Sequence, residues 1–256
     1  MDETIRQYRA FMKSNYSAIE DVTTDQMAGK PVPPLEKTTE DGQPVVELPA
    51  PDASVVCRTN VHECIKHRRS ERQFWERPLS LAELSYLLWA TQGVAEVVSD
   101  GKATLRTVPS GGARHPFETY LLIHRVSDLE PGVYRYQPVE HQLVPLRPGL
   151  DWVEPAVEAA YGQRFVGEGA AVFVWSCIPY RGEWRYHVAA HKVMLIDAGH
   201  VCQNLYLACE AVCAHTCAIA AYDQKAMDAL LGLDGEDEFV VYLAPVGKSM
   251  RNECQP

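Results

Sequence analysis

The 256-residue chain has no uninterrupted apolar run near the roughly 20 residues that a helix needs to cross a bilayer. Its opening, MDETIRQYRAFMKSNY, lacks the basic-then-apolar pattern of an export signal, so the expected setting is the cytoplasm. Positive charge is also short. With 24 Lys and Arg against 34 Asp and Glu, the formal charge of −10 gives no global attraction to nucleic acid or to an anionic membrane, and any anion site must be local. There is no nucleophile elbow, no P-loop, no nucleic-acid-binding signature and no internal repeat. The stretch PSGGARHP suggests a phosphate loop, but no Gly-Lys-Ser or Gly-Lys-Thr follows it. A chain this long does not need disulfide staples, so its eight cysteines, Cys254 among them, read as reduced thiols.

Periodicity outlines the elements. Ile5, Tyr8, Met12, Tyr16 and Ile19 recur at helical spacing and predict a short amphipathic helix within 3–20. Residues 29–53 hold six prolines and read as an extended arm, lying on the body or across a partner subunit. A helix over about 59–69 carries Arg68 near its end. Another is announced by a candidate capping box, Ser80 with Glu83, ahead of Leu81, Leu84, Leu87 and Leu88. A glycine-containing turn at 93–103 and the loop TVPSGGARHP lead to the apolar strand ETYLLIHRV, and GVYRYQPVEHQLVPLRPG reads as a hairpin. Helix is expected at 151–162, a buried strand at GAAVFVWSCI, and the longest helix within 184–214. A strand at CAIAAY, a helix at DQKAMDALLGL and a last strand at DEFVVYLAPVG complete an α+β pattern.

Three groups of residues invite chemistry. Cys202, Cys209, Cys213 and Cys217 fall on one side of a continuing helix, but a straight stripe spans too far to close on a zinc about 2.3 Å from each sulfur. They read as small buried hydrophobes. His187 and His191 are spaced like zinc ligands on a helix, with Asp197 and His200 able to complete a set, yet HVAAH lacks the glutamate of the zinc-protease pattern. Packing and capping are the competing reading. The third group is HRRSERQF at 67–74. Arg68, Arg69 and Arg72 are either charges solvating a helix end or, with Ser70 between them, a set of charge-assisted donors for one phosphate. Gly111-Gly112 reads as a turn or as a loop that lets backbone N–H groups approach a flat ligand.

The order IKHRRSERQFWERPLSLAELSYLLWATQGV, LRTVPSGGARHPFETYLLIHRV, GVYRYQPVEHQLVPLR, DAGHVCQNLYLACEAV and LLGLDGEDEFVVYLAPVGK resembles the nitroreductase-like flavoprotein superfamily over roughly 58–250. It looks most like the SagB-type dehydrogenase branch, which includes the thiazoline and oxazoline oxidases that tailor ribosomal peptides. The resemblance implies a nitroreductase-like α+β fold with a mixed or mainly antiparallel central sheet flanked by long helices, forming a homodimer with flavin at the subunit interface. It divides the chain into an N-terminal helix and proline-rich arm, 1–57, and a flavin-binding domain, 58–256.

By that resemblance Arg68, Arg69, Ser70 and Arg72 match the motif that holds the phosphate and ribityl chain of FMN. Pro109, Ser110 and Gly111 match the loop that approaches flavin from the other subunit, and Lys248 or Arg251 supplies a further basic group. Arg106, His115, His200 and Gln203 lie in family-like stretches; Tyr180, Tyr186 and Lys192 are candidates for the substrate side. The implied activity passes a hydride through flavin N5 between NADH or NADPH, or a small organic or peptide-derived substrate, and an acceptor. No residue stands out as catalytic, no metal is expected, and neither nucleic acid nor membrane is an expected partner. Cys213-Ala214-His215 and Ala220-Ala221 depart from the family's glycine-rich and acidic pattern. They motivate the alternative of a flavin-binding accessory protein without turnover; a metal-dependent hydrolase is the other alternative.

Overall fold

The computed structural model describes residues 2–14, 16–40 and 42–249, so Arg251 and Cys254 lie outside the described residues. In chain order come α1 (Glu3–Phe11), β1 (Val46–Glu47), α2 (Val61–His67), α3 (Leu81–Gln92), β2 (Val94–Val98), β3 (Ala103–Arg106), β4 (Phe117–Ile123), β5 (Gly132–Gln137) and β6 (Gln142–Pro148). They continue with α4 (Val153–Ala159), α5 (Phe165–Glu168), β7 (Ala171–Cys177), α6 (Tyr180–Tyr186), α7 (Ala190–Ala211), β8 (Ala214–Thr216), α8 (Gln224–Leu231) and β9 (Phe239–Lys248).

Seven strands form one sheet in the order β1-β6-β5-β4-β7-β9-β8, with every pairing antiparallel. Its central strands are apolar on both faces because both faces are covered. Along β4, Phe117, Leu121 and Ile123 join a core with α3 and α7, whereas Tyr120 and Leu122 pack with α4 and α8 on the other side. Strand β7 alternates in the same way: Phe173 and Trp175 face α7, and Val172 and Val174 face α4 and α8. The result is a three-layer α+β fold.

The capping box forms as expected, with Ser80 Oγ accepting from Glu83 N at 3.2 Å and Glu83 Oε2 accepting from Ser80 N at 2.8 Å. Several expectations are corrected. The helix foreseen within 3–20 ends at Phe11, and Tyr16–Ile19 forms a separate 3₁₀ turn. The turn at 93–103 is the β2–β3 hairpin. The long helix begins only at Ala190, because His187 takes φ 46° and breaks the chain after α6.

CAIAAY is not a strand. The edge strand is β8, three residues upstream, entered through Cys213 at φ 56°. Ile219 still bridges Leu243 in the same register, but between them the ladder faces Pro245, which has no N–H to donate. With α7 ending at Ala211, the four cysteines do not share a helix face, although all four are buried.

The proline-rich arm lies on the body of its own chain. β1 extends the sheet beside β6; Arg106 donates to Leu35 O at 3.1 Å, Arg135 to Thr38 O at 3.0 Å, and Trp184 Nε1 to Lys30 O at 3.1 Å. Lys37 reaches Glu238 at 2.6 Å, and its backbone N–H donates to Glu118 at 3.0 Å. Glu36 lies in a small cavity with Gln92, Arg106, Glu118, Thr119 and Tyr136 and accepts from Val139 N at 3.0 Å.

Burial, and then the neighbouring Glu140, raises the Glu36 carboxyl to about 8. A raised carboxyl favours the protonated folded state, so stability is full below its ordinary value of 4.5 and falls as pH rises towards 8. Glu36→Gln is expected to flatten that fall and to gain on the order of 2 kcal/mol at the alkaline end. Urea unfolding of both proteins at about pH 5 and about pH 8.5 checks this; equal pH slopes would contradict it.

Candidate functional site

Helix α2 ends at His67, and Arg68, at φ −49° and ψ 122°, takes the chain out of helical geometry. Arg68 and Arg72 are therefore not neighbours on a helix. The segment instead runs beside the sheet edge: Ser70 bridges Thr216 in parallel, Glu71 N donates to Thr216 O at 3.1 Å, and Trp75 bridges Lys248. Extended backbone has a period of two, which places Ser70 and Arg72 on one side. Ser70 Oγ lies 2.9 Å from Tyr206 Oη, and the Arg68 guanidinium sits over the Tyr206 ring, 5.3 Å from its centroid. Arg72 lies over Phe165 at 5.8 Å. Among the described residues neither Arg68 nor Arg72 has a carboxylate partner, whereas Arg69 turns back onto the carbonyls of Lys66 and Arg68.

Lys248 is adjacent in backbone but not in charge. Its buried ammonium pairs with Glu83 and donates to Val212 O at 3.1 Å. Glu83 thus serves the α3 capping box with one oxygen and Lys248 with the other.

The Pro109–Gly111 loop lies elsewhere on α7. Asp197 Oδ2 accepts from Ser110 Oγ at 2.7 Å and from Gly111 N at 3.0 Å. Burial raises the Asp197 carboxyl, and these two bonds act against that rise. Gly111 is needed because a Cβ there would stand 2.4 Å from Val193 Cγ1, and Gly112 takes a left-handed φ of 61°. Helix packing and a turn account for both glycines. Asp197 and Tyr206 are nine residues apart on α7, about 13 Å along its axis. A single chain therefore leaves the arginine segment and the Ser110 loop apart. Between them α7 presents an uncovered stripe of Leu195, Ile196, Gly199, His200 and Gln203, with the two apolar residues 51% and 49% exposed.

Other candidates resolve into structural parts. Arg106 bonds Thr104, Gln92 and the arm, and burial lowers it to about 10, so it stays charged at neutral pH. Burial, and then the Arg106 charge, lowers His115 to about 3 and holds it neutral, while its contact with Thr104 O at 3.2 Å acts against that fall. Tyr180 bonds Asp25, and Tyr186 packs edge-on against Tyr16. His191 Nε2 lies 2.6 Å from Glu183, and among the described residues no three His, Cys, Asp or Glu side chains converge as a metal site. Ser249, His215 and Glu210 stand in nucleophile, base and orienter order, at 2.5 Å and 3.3 Å, but their exposures of 7%, 6% and 4% make them a strut between β9, β8 and α7.

Tyr206 carries no mark in the sequence, because nothing in periodicity distinguishes a tyrosine that packs from one whose hydroxyl meets two distant segments.

The donor set fits a phosphate-bearing group: two guanidiniums that have no carboxylate partner among the described residues flank an exposed hydroxyl in an acidic chain. The chain is 29% identical over 205 residues to a nitroreductase-family protein of Methanocaldococcus jannaschii, covering 80% of this chain and 98% of that one. It is 32% identical over 130 residues to the trifolitoxin-processing protein TfxB of Rhizobium leguminosarum bv. trifolii, 49% of this chain and 34% of that one. It thus spans about a third of the length of that relative. A solved nitroreductase-family structure from Ralstonia eutropha JMP134 superposes with a TM-score of 0.65 at 25% identity, covering 87% of this chain and 100% of that one. Another, from Desulfovibrio desulfuricans and solved with FMN, shares the fold at a TM-score of 0.53 and 15% identity, covering 78% and 91%. The model of the nitroreductase family matches residues 65–248, more than half of the sequence, and so the chain belongs to the nitroreductase family.

Proposed function

We propose that this chain is an FMN-dependent oxidoreductase that works as a homodimer. The carrying observation is the pair of guanidiniums, Arg68 and Arg72, that flank Ser70 without a carboxylate partner among the described residues. In this reading Arg68, Ser70 and Arg72 hold the phosphate, and Arg69, whose side chain is spent on backbone carbonyls, shapes the segment. Pro109, Ser110 and Gly111 approach the same flavin from the second copy, which the separation of the two segments along α7 supports. Lys248 joins the phosphate set only by leaving Glu83; otherwise it acts through the backbone that anchors Trp75. Residues 1–57 act as a helix and arm laid on a domain formed by 58–256, with β1 completing its sheet.

FMN, when bound, supplies reversible hydride transfer. The residues of this chain bind and orient it, and the Asp197 carboxylate fixes the Ser110 loop. The exposed α7 stripe of Leu195 and Ile196 supports the dimer. The expected reductant is NADH or NADPH. A small organic or peptide-derived substrate is the expected partner, the latter supported by the likeness to the trifolitoxin-processing protein.

Anaerobic mixing of the FMN-loaded protein with NADH or NADPH is expected to bleach the flavin, and a quinone or nitroarene to restore it. Bound FMN that no such donor reduces would favour the accessory reading, which rests on the departures within 213–221.

A further inference from the structure

Three segments far apart in sequence meet at Tyr206. Its oxygen is 2.9 Å from Ser70 Oγ and accepts the backbone N–H of Ala218, also at 2.9 Å, while its ring lies beneath the Arg68 guanidinium at 5.3 Å. The 5.3 Å separation is within cation–π range. The tyrosine itself is anchored, because it is part-buried against the α3–α7 core.

We propose that Tyr206 is a positioning residue that makes Ser70 an outward hydrogen-bond donor and holds Arg68 in place for the FMN phosphate. This rests on the FMN reading above. An amide N–H can only donate, so Ala218 occupies an acceptor position on the tyrosine oxygen and leaves the tyrosine proton to be spent elsewhere. Among the described residues, Ser70 Oγ is the other polar atom at hydrogen-bond distance from that oxygen. A phosphate dianion accepts hydrogen bonds and offers no donor, so Ser70 must donate a hydrogen bond to it. Ser70 then needs a donor behind it, and Tyr206 supplies one. The chain Ala218 N–H to Tyr206 O–H to Ser70 O–H thus points towards the ligand, and it is built before the ligand arrives. The same contact couples the phosphate segment to the atypical 213–221 stretch, because Ala218 belongs to it.

A merely structural tyrosine would affect FMN and riboflavin alike. Riboflavin lacks the phosphate, so the affinity ratio of the two ligands separates the roles. Tyr206→Phe keeps the ring under Arg68 and removes the hydroxyl. It is expected to weaken FMN binding about 10-fold and to leave riboflavin binding unchanged. Ser70→Ala, at an exposed position, is expected to do the same, and the double variant to be no weaker than Ser70→Ala alone.

Unchanged FMN affinity in Tyr206→Phe, equal losses for both ligands, or fully additive effects would overturn the proposal while leaving FMN dependence intact. Should Tyr206→Phe not fold, Ser70→Ala with an unchanged FMN-to-riboflavin ratio overturns it as well. A wild-type protein that binds no FMN overturns both readings.

Discussion

Replacing Arg68 and Arg72 together by alanine is expected to weaken FMN binding by about 100-fold. Each guanidinium offers charge-assisted hydrogen bonds worth about 1.5 kcal/mol or more, and two together reach about 3 kcal/mol. Neither arginine has a carboxylate partner among the described residues, so their removal strands no buried charge. The ligand-free double variant should unfold at nearly the wild-type temperature. Titration calorimetry with FMN, alongside a melting curve without it, reads both quantities. Near-wild-type affinity, or a large fall in the melting temperature of the free protein, would return the cluster to the role of a solvated and structural helix end.

The second large effect concerns the frame that holds the site. Arg181 donates to Glu118 at 2.5 Å, and their side chains are 4% and 2% exposed. Glu118 also accepts the backbone N–H of Lys37, so the pair joins β4, α6 and the arm. Removing the arginine leaves a buried carboxylate without its counter-charge. Arg181→Leu is expected to destabilise the protein by about 3–5 kcal/mol. Glu118→Gln with Arg181→Leu should recover part of that loss, since the remaining amide needs no counter-charge. Urea midpoints of the three proteins decide the matter, and a single variant as stable as wild type would show that the pair contributes little.

Much of the frame was legible because its signals are local. Ser80 and Glu83 lie three residues apart and cap α3 as their spacing predicts. The buried runs of β4 and β7, apolar but for Glu118, Thr119 and Ser176, reflect a sheet covered on both faces, and the β5–β6 hairpin follows from two strands separated by a short turn. The misplaced edge strand shows the limit of such reading. CAIAAY looks β-forming by itself, but its pairing depends on Pro245, which stands on the neighbouring strand and cannot complete the ladder.

The site divides in the same way. The composition of HRRSERQF pointed to Arg68, Ser70 and Arg72, but the reason they share a surface is the end of α2 and pairing with β8. Lys248 was legible as a basic residue after a strand. Its neutralisation by Glu83, 165 residues earlier, was not. Tyr206 was hidden for the same reason, since its hydroxyl meets residues 70 and 218 only once the sheet edge and α7 are assembled.

The central claim is that this chain carries FMN, and the most direct test is the identity and stoichiometry of the chromophore in protein purified in its native state. The account predicts the visible absorbance of an oxidised flavin, released on denaturation as FMN in near-equimolar amount to the chain, or acquired to that level when FMN is added. A colourless, folded protein that takes up no FMN would contradict it.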